Sequence, residues 1–435
     1  MKKAISRIIL VIFVFACVSI FSSCYSIRSG GLFFTETDGG YQVTGTALSG
    51  RFYRNFTVTI PEKLNGKPVV SISNLAFAGY TSLLKVEIPD SVTQIGDHAF
   101  SGCILLQSVS IPDSVESIGD GAFSDCRALT SINIPKSVTY IGENAFLNCP
   151  KIAGFSVDAK NPSYKSIKGN LYSKDGTSLI QYAPNKANTY FEIPDTVTKI
   201  GNYAFDNCDY LERVRFPKSL KSIGNSAFYD CDSLTGIDIP DTVTSIGNLA
   251  FNSCDSLSEA KLGESLTSIG NSAFAKCKSL TRIALPDSVR VIGISAFSNC
   301  SELEEVKMSS SARIIGESAF YNCESLRSIT LPSSLTTIEK STFDGCYKLS
   351  EVIIPDSVTT IGDAAFSGCA SLSDMTLPSS IESIGAWAFY NCASINAINF
   401  SGRLELWYDV EKEESWDYRS RIKRIVCTNG TLALE

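Results

Sequence analysis

The stretch "NSAFAKCKSLTRIALPDSVRVIG" at residues 271–293 places aromatic, aliphatic and cysteine residues at fixed distances from its phenylalanine, Phe274. With small changes, the same pattern returns every 23 residues along most of the chain. If the phenylalanine is position 0, the pattern has Cys at +3, Leu at +6, Val or Ile at +9, Ile or Leu at +11, Pro at +12, Val at +15, Ile at +18, Gly at +19 and Ala at +22. A fixed period of this length is typical of a repeat architecture.

Thirteen units carry this phenylalanine, in two series separated by one interruption. The positions are Phe77, Phe100, Phe123 and Phe146, and then Phe205, Phe228, Phe251, Phe274, Phe297, Phe320, Phe343, Phe366 and Phe389. No unit alone could bury its apolar residues, so neighbouring units must stack and share one elongated core. Positions +9 and +11 have strand spacing and precede a Pro-Asp-Ser turn. We therefore predict a repeat solenoid of 23-residue units, each with a short strand in a parallel sheet, a second extended piece and a short helical or 3₁₀ turn around the phenylalanine.

A resemblance to a known family covers residues 51–400, about four-fifths of the chain. The run C-x-x-L-x-x-I-x-I-P-x-S-V-T-x-I-G-x-x-A-F resembles the BspA-like, or Treponema pallidum-type, leucine-rich repeat of bacterial surface proteins. The resemblance implies a right-handed leucine-rich repeat solenoid with a curved parallel sheet. It also implies that binding of host or cell-surface proteins is the usual role.

The cysteines follow the repeat, because twelve of the fifteen stand at +3. Equivalent residues of stacked units point the same way about 5 Å apart, whereas a disulfide needs Cβ atoms about 3.8 Å apart. We expect buried free thiols, with scattered disulfides or metal binding as the alternatives. Metal binding is disfavoured because the chain has one histidine, His98, at a variable position. No cofactor is predicted.

The first residues predict export. A basic start followed by the uncharged apolar run Ile8–Phe21 is typical of a signal peptide, which we place at residues 1–23. The segment "FSSC", ending at Cys24, resembles the lipobox of bacterial lipoproteins, which implies a lipid anchor on Cys24; cleavage by an ordinary signal peptidase is the alternative. Residues 24–50 would then tether the solenoid to the membrane. The predicted location is the bacterial cell surface or outer membrane.

The ends of the solenoid need caps, because terminal repeats would otherwise expose apolar residues. The divergent first unit, Phe56–Phe77, is predicted to be the N-terminal cap. Residues 401–435 drop the repeat, contain Trp407 and Trp416, and are predicted to form the C-terminal cap. The aromatic residues of that segment could seal the last repeat or recognise a ligand.

The interruption between the two series contains a predicted β-hairpin at about residues 155–190. Apolar and polar residues alternate on both sides of Asp175-Gly176, which is a hairpin signal. The hairpin is rich in tyrosine, and Tyr172 and Tyr182 are candidate protein-binding residues if they are exposed. Packing of the hairpin against the flank of the solenoid is the alternative interpretation.

Charge and composition argue against nucleic-acid binding and catalysis. Removal of the signal peptide takes away Lys2, Lys3 and Arg7, so the net charge changes from −7 to −10, which disfavours a polyanionic partner. The sole histidine has no acidic or nucleophilic neighbour in the pattern, and no glycine-rich phosphate loop is present. The sequence therefore predicts a non-enzymatic protein.

Candidate binding residues follow from the strand. Positions +8 and +10 flank the buried +9 and therefore face solvent, where they vary from unit to unit. The charged candidates are Lys85, Glu87, Arg213, Arg215, Glu259, Lys261, Arg282, Glu305 and Lys307. The first hypothesis is an adhesin that binds host extracellular-matrix or other cell-surface proteins through this face. The alternative is a structural or assembly protein of the bacterial envelope without an external ligand, in which these charges serve only solubility.

Overall fold

The computed structural model describes residues 27–29, 31–47, 56–373 and 375–434. They form a stack of coils with parallel strands and little helix. The predicted signal peptide and Cys24 lie outside the described residues. In the part of the chain that is described, no helix has the length and apolar character needed to cross a membrane.

The elements follow one another in a regular order. Before the insertion the strands are β1 (Ile27–Ser29), β2 (Leu32–Thr37), β3 (Gly40–Thr46), β4 (Phe56–Thr59), β5 (Lys63–Leu64), β6 (Lys67–Ile72), β7 (Leu83–Glu87), β8 (Gln94–Ile95), β9 (Ser108–Ser110), β10 (Ser117–Ile118), β11 (Ser131–Ile134), β12 (Tyr140–Ile141) and β13 (Gly154–Val157). The insertion holds β14 (Tyr164–Ile167), β15 (Asn170–Ser173) and β16 (Ser178–Gln181).

After the insertion, the regular coils run to the C-terminal cap. Their strands are β17 (Tyr190–Glu192), β18 (Lys199–Ile200), β19 (Arg213–Arg215), β20 (Ser222–Ile223), β21 (Gly236–Asp238), β22 (Ser245–Ile246), β23 (Glu259–Lys261), β24 (Ser268–Ile269), β25 (Arg282–Ala284), β26 (Val291–Ile292), β27 (Glu305–Lys307), β28 (Ile314–Ile315), β29 (Ser328–Thr330), β30 (Thr337–Ile338), β31 (Glu351–Ile353), β32 (Thr360–Ile361), β33 (Met375–Leu377), β34 (Ser383–Ile384) and β35 (Ala397–Phe400). The cap holds helix α1 (Leu404–Asp409), β36 (Glu411–Lys412), β37 (Arg424–Cys427) and β38 (Gly430–Ala433).

Two parallel sheets run along the stack. The strand at +8 to +10 of each regular coil, such as β19, belongs to what we call the front sheet, and the two-residue strand at +17 and +18, such as β20, belongs to the back sheet. Neighbouring coils pair in a register of one period, so that Ser222 lies opposite Ser245. The front sheet is divided into segments, and one of them ends at β23 while the next begins at β25.

The third side of each coil is a run of turns, and the predicted short helical or 3₁₀ turn is present there as single i→i+3 hydrogen bonds, such as Tyr229 N to Ser226 O (3.1 Å). The amide of Phe228 donates to Ala250 O (2.7 Å) and that of Ser226 to Asn248 O (2.8 Å), so these turns are also bonded from coil to coil. Ser226 at −2 has φ 51° and Asp230 at +2 has φ 59°, and the same two positions are left-handed throughout the regular coils. Because left-handed residues lie between right-handed ones, the peptide groups of these turns point along the stack and form hydrogen bonds with the neighbouring coil. In a helix, the same peptide groups would form hydrogen bonds within one coil.

Stacked aromatic rings form the centre of the core. The phenylalanines of neighbouring coils lie nearly parallel, with ring centroids 4.4 Å apart for Phe205 and Phe228 and 5.9 Å apart for Phe123 and Phe146. The rings are therefore spaced as the paired strands are. Each coil contributes the same residues to this core, so the single-period spacing of the sequence becomes a continuous apolar column.

The cysteine column confirms the expected buried thiols. All thirteen cysteines of the described residues are free and buried. In the regular coils the thiol donates to the phenylalanine carbonyl of the preceding coil, as in Cys277 to Phe251 O (3.2 Å) and Cys300 to Phe274 O (3.1 Å). Burial raises the pKa of the Cys300 thiol to about 12, so the group stays neutral.

The N-terminal cap differs from the predicted one. Strands β1, β2 and β3 form an antiparallel meander, and β3 pairs in parallel with β6, with Tyr41 opposite Val69. The side chains of Phe34 and Val43 are fully buried. The interpretation of residues 24–50 as a tether is therefore wrong where the structure describes them, because their alternating apolar residues cover the first coil. The cap begins upstream of the predicted unit at Phe56.

The C-terminal cap closes the opposite end with aromatic side chains. Trp416 packs its ring edge-on against Phe389, with centroids 5.9 Å apart, and the buried Trp407 contacts both Trp416 and Phe400. Strand β38 pairs antiparallel with β37 at the end of the front sheet. These tryptophans therefore pack against the end of the repeat core.

Candidate binding face

Side chains at +8 and +10 stand on the open side of the front sheet. In β19, Arg213 and Arg215 are exposed while Val214 between them is buried. The same alternation holds in β7, β25 and β27, whereas in β23 the residue between Glu259 and Lys261, Ala260, is half-buried. The front sheet therefore presents their charged groups to solvent.

The structure brings most of these residues together, but not all. Within a run of five successive coils, four carry candidate residues: Arg213 and Arg215 on β19, Glu259 and Lys261 on β23, Arg282 on β25, and Glu305 and Lys307 on β27. Lys85 and Glu87 instead lie on β7, in a separate segment formed by β4, β7 and β9. They pair with each other, with Nζ and Oε1 2.9 Å apart.

Charges of opposite sign alternate along this part of the face. Arg215 lies 2.9 Å from a Glu192 carboxylate oxygen on the neighbouring strand, and Lys261 lies 3.4 Å from Asp238. Arg282 lies opposite Glu305 in the register of β25 and β27. Alternation keeps like charges from facing each other across strands. All these groups are exposed, so the pairs contribute little to stability and leave the charges available to a partner.

A cleft of about 750 Å³ opens in the front sheet where β23 and β25 are not joined. Four of the candidate residues line it: Glu259, Lys261, Arg282 and Lys307. Three further carboxylates line it as well: Asp238, Glu264 and Asp287. Its floor includes apolar side chains from both coils. A volume of this size is in the range of small-ligand and side-chain pockets.

Two departures from the repeat lie at the cleft. Position +9 is Ala260 instead of Val or Ile, and position +12 is Gly263 instead of Pro. A Cβ atom on Gly263 would lie 2.2 Å from Pro240 O, so this coil sits closer to the preceding one than a side chain would allow. Ala260 lines the cleft, where a larger residue at +9 would take up part of its volume.

One carboxylate of the cleft is held in a fixed position. Asp287 Oδ1 accepts hydrogen bonds from Ser310 N (3.0 Å) and Ser310 Oγ (2.9 Å). These bonds, and the nearby Lys307, lower the pKa of Asp287 below its ordinary value. The group therefore carries its charge at neutral pH. Beside it, Arg282 takes part in none of the ion pairs of the described residues on this face.

A search of the described residues for metal-binding clusters gives a negative result. No group of three or more His, Cys, Asp or Glu side chains among them converges on a point where a metal ion could bind. His98 is exposed on the turn side of its coil, with φ 53°. The cleft therefore offers charged and apolar contacts.

The two tyrosines that the sequence offers as candidate protein-binding residues are buried. That prediction is therefore wrong. Tyr172 and Tyr182 are 0% and 1% exposed. The insertion does not protrude, because β16 pairs in parallel with β18 and so extends the back sheet. Tyr182 takes the place of the core phenylalanine: its amide donates to Ala204 O (2.8 Å) and its ring stacks on Phe205 at 5.1 Å. Tyr182 stands one period before Phe205, which is the signal that identifies it.

Comparison with known protein families identifies the type of repeat in this chain. The sequence profile of the BspA type leucine rich repeat region matches residues 56–179, 181–304 and 290–409. The chain belongs to this family of bacterial leucine-rich repeat proteins. A search of curated protein sequences finds no match.

Solved structures of bacterial leucine-rich repeat proteins resemble the BspA-type solenoid described above. One from Bacteroides ovatus is 29% identical in sequence, with 91% of this chain and 100% of that chain covered and a TM-score of 0.56. One from Eubacterium ventriosum is 23% identical, with 78% and 93% covered and a TM-score of 0.50. At this level of identity, the similarity to the Eubacterium ventriosum protein supports the fold alone.

Proposed function

We propose that this protein is a non-enzymatic, lipid-anchored adhesin of the bacterial cell surface. In this proposal the front sheet binds proteins of the host extracellular matrix or of neighbouring cells. The observation that supports it most directly is the exposed, mixed-charge face centred on the cleft between β23 and β25. Membership of the BspA-type family and the predicted signal peptide support export and surface display.

The face suits a protein partner for physical reasons. Its charged side chains stand on rigid, hydrogen-bonded strands, so little order has to be gained on binding. Alternating charges favour partners of complementary pattern and reject others. The cleft adds apolar surface beside Arg282, and a buried arginine is a common centre of protein interfaces.

Charge reversal tests the face. Replacing Arg213, Arg215 and Arg282 together by Glu should weaken binding to a panel of purified matrix proteins at least tenfold, because three attractive contacts become repulsive. The measurement is surface plasmon resonance with the folded chain.

A matched control reverses three exposed charges in or beside the back sheet, as Lys199→Glu, Lys221→Glu and Arg290→Glu, which gives the same change in net charge without altering the front sheet. This control should bind as the wild type does. Unchanged binding of the triple variant would remove the face between β19 and β27 from consideration.

The lipid anchor is tested separately. Metabolic labelling with a radioactive fatty acid should label the wild-type protein, and Cys24→Ala should abolish the label because that thiol would carry the diacylglyceryl group. Cys17→Ala serves as the control and should keep the label. An unlabelled wild-type protein would contradict the anchor and favour ordinary export.

The second candidate function is a structural role in the envelope. It predicts that a deletion strain adheres normally but has altered surface integrity, which a detergent-sensitivity assay would measure. Loss of adhesion with normal surface integrity would favour the adhesin.

A further inference from the structure

A second pocket lies where the insertion meets the front sheet. Strands β13 and β17 flank the insertion and belong to different segments of the front sheet. Beside β17 is a pocket of about 470 Å³. Its lining residues are Lys168, Lys186, Asn188, Tyr190, Phe191 and Glu192.

Lys186 is a half-buried positive charge with neutral partners. Its ammonium donates to Lys168 O and to Asn170 Oδ1 (2.7 Å), and it lies 5.2 Å from the centroid of the Tyr182 ring. Asn170 is itself fully buried, and its Oδ1 also accepts from Ala183 N (3.1 Å). These contacts fix the ammonium but bring no negative charge to it. A partly dehydrated charge without a counterion is costly, so it favours a ligand that supplies one.

The rest of the pocket leaves this charge uncompensated. Lys168 adds a second cation. Glu192 is the one carboxylate among the described lining residues, and it lies 2.9 Å from Arg215 on the next strand. Loss of hydration lowers the pKa of Lys186, which fits a site where no carboxylate faces the ammonium.

The walls of the pocket are suited to a ring with hydroxyl groups. Tyr190 is 52% exposed, and it lies opposite Arg213 in the register of β17 and β19. Its ring offers a flat apolar surface next to the two ammonium groups. The exposed amide of Asn188 can both donate and accept hydrogen bonds.

We propose that this pocket binds a carboxylated sugar unit, such as a uronic acid of an acidic glycan. The carboxylate would pair with Lys186 and Lys168, the sugar ring would lie on Tyr190, and hydroxyl groups would bond to Asn188. The volume is in the range of pockets for small ligands. This site differs from the cleft between β23 and β25 and does not depend on the proposed protein-binding role.

The test compares three small probes on the full folded chain: D-glucuronic acid, D-glucose and acetate. In saturation-transfer NMR and calorimetric titration, glucuronic acid should bind, glucose should not, and acetate should bind at least tenfold more weakly than glucuronic acid. Acetate binding as tight as that of glucuronic acid would overturn the sugar part of the proposal. Absence of glucuronic acid binding would overturn all of it.

Three variants locate the site. Lys186→Met keeps the aliphatic chain and should weaken glucuronic acid binding about tenfold, the effect of losing one desolvated charge pair. Tyr190→Ala should weaken glucuronic acid but leave acetate unchanged. Lys199→Met, on β18 of the back sheet, is the matched control and should bind as the wild type does.

Thermal unfolding separates binding from folding. Lys186→Met should melt at or above the temperature of the wild type, because it removes a charge that has no counterion. Normal glucuronic acid binding by a folded Lys186→Met variant would contradict the proposed site. A lower melting temperature would contradict the uncompensated charge on which it rests.

Discussion

At the scale of single residues, the cysteine of a regular coil donates a hydrogen bond from its thiol to a backbone carbonyl of the preceding coil. The carbonyl of Phe274 has the thiol of Cys300 3.1 Å away, inside a core from which water is excluded. Serine at +14 acts similarly, since Ser288 Oγ donates to Leu266 O (2.7 Å) one coil earlier. The Phe274 carbonyl also accepts a hydrogen bond from Cys277 N (3.3 Å), so the thiol adds a second bond to a buried carbonyl.

The thiol column makes the fold sensitive to alkali. Burial raises the pKa of Cys300 to about 12, well above the ordinary value of about 8.5. The folded chain keeps the proton that the unfolded chain loses, so this stability is fully present below about pH 8.5 and is lost as the pH rises towards 12. We expect the free energy of unfolding, measured with urea under reducing conditions, to decrease between pH 8.5 and 11.

Cys300→Ala isolates the effect of one thiol. At pH 7 the variant should be less stable by about 1–2 kcal/mol, because it loses a hydrogen bond and leaves a small cavity. At pH 10.5 the difference should shrink or reverse. An equal difference at both pH values would contradict the assigned role of the thiol proton.

Residue roles that recur with the period could be predicted from the sequence, and others could not. Burial of the cysteines follows directly from their position at +3. The left-handed position −2 could not be predicted, because residues as different as His98, Tyr203 and Leu249 occupy it. Position +2 could have been predicted, because it is mostly Gly, Asn or Asp, which favour this conformation. The burial of Tyr172 could not be predicted, because a hairpin signal does not reveal which face of the hairpin is covered, whereas the one-period distance between Tyr182 and Phe205 could have revealed the burial of Tyr182.

At the scale of elements, the glycine at +19 controls how closely two coils approach. A Cβ atom on Gly293 would lie 2.6 Å from Asn271 N. At the one unit where Glu339 replaces this glycine, the back sheet is interrupted: one segment ends at β28 and another begins at β30. Close backbone contact, and not a left-handed φ, is therefore the reason for glycine at this position.

Replacing this glycine should separate two coils. Gly293→Ala is expected to destabilise the protein by about 2 kcal/mol or more, since the backbone has to move to accept the methyl group. Chemical unfolding measures the loss. The control is Gly236→Ala in β21, where the added Cβ would meet Glu259 O at an ordinary 3.7 Å and the effect should stay within about 0.5 kcal/mol. Equal effects of both variants would contradict the packing argument.

The elements at the N-terminus could have been predicted more fully. Asp38-Gly39 lies between two alternating segments, and the structure has its turn there, between β2 and β3. This is the signal that indicates the hairpin at Asp175-Gly176. Interruptions of the front sheet are harder to predict, because the one between β9 and β11 occurs although both coils keep the aliphatic residue at +9 and the proline at +12.

At the scale of the whole molecule, the insertion divides the core in two. Leu171 belongs to the N-terminal core cluster and Tyr172 to the C-terminal one. Across this junction Asp206 Oδ2 accepts a hydrogen bond from Asn148 N (3.1 Å), although its side chain is almost completely buried. Burial, with a smaller contribution from the charges of Asp230 and Asp125, raises the pKa of Asp206 to about 6, although hydrogen bonds from Asn207 and Asn148 oppose the shift.

The junction should therefore lose stability as the pH rises through 6. The raised pKa of Asp206 means that its contribution is fully present below about pH 3.9, the ordinary value, and is lost at neutral pH. Asp206→Asn keeps an acceptor for Asn148 N without the charge. At pH 7.5 it should be more stable than the wild type by roughly 2–3 kcal/mol, and at pH 4 the two should be similar. Urea unfolding at both pH values measures this, and a pH-independent difference would contradict it.

The hydrogen bonds that join the coils have a mechanical consequence. They run along the length of the stack, so a tensile force applied between its two ends loads them in series and breaks the weakest first. Each coil that peels away releases 23 residues, which add about 75 Å of extended chain. A molecule built in this way, when pulled from its two ends, would lengthen coil by coil and act as an extensible spring under a sudden load.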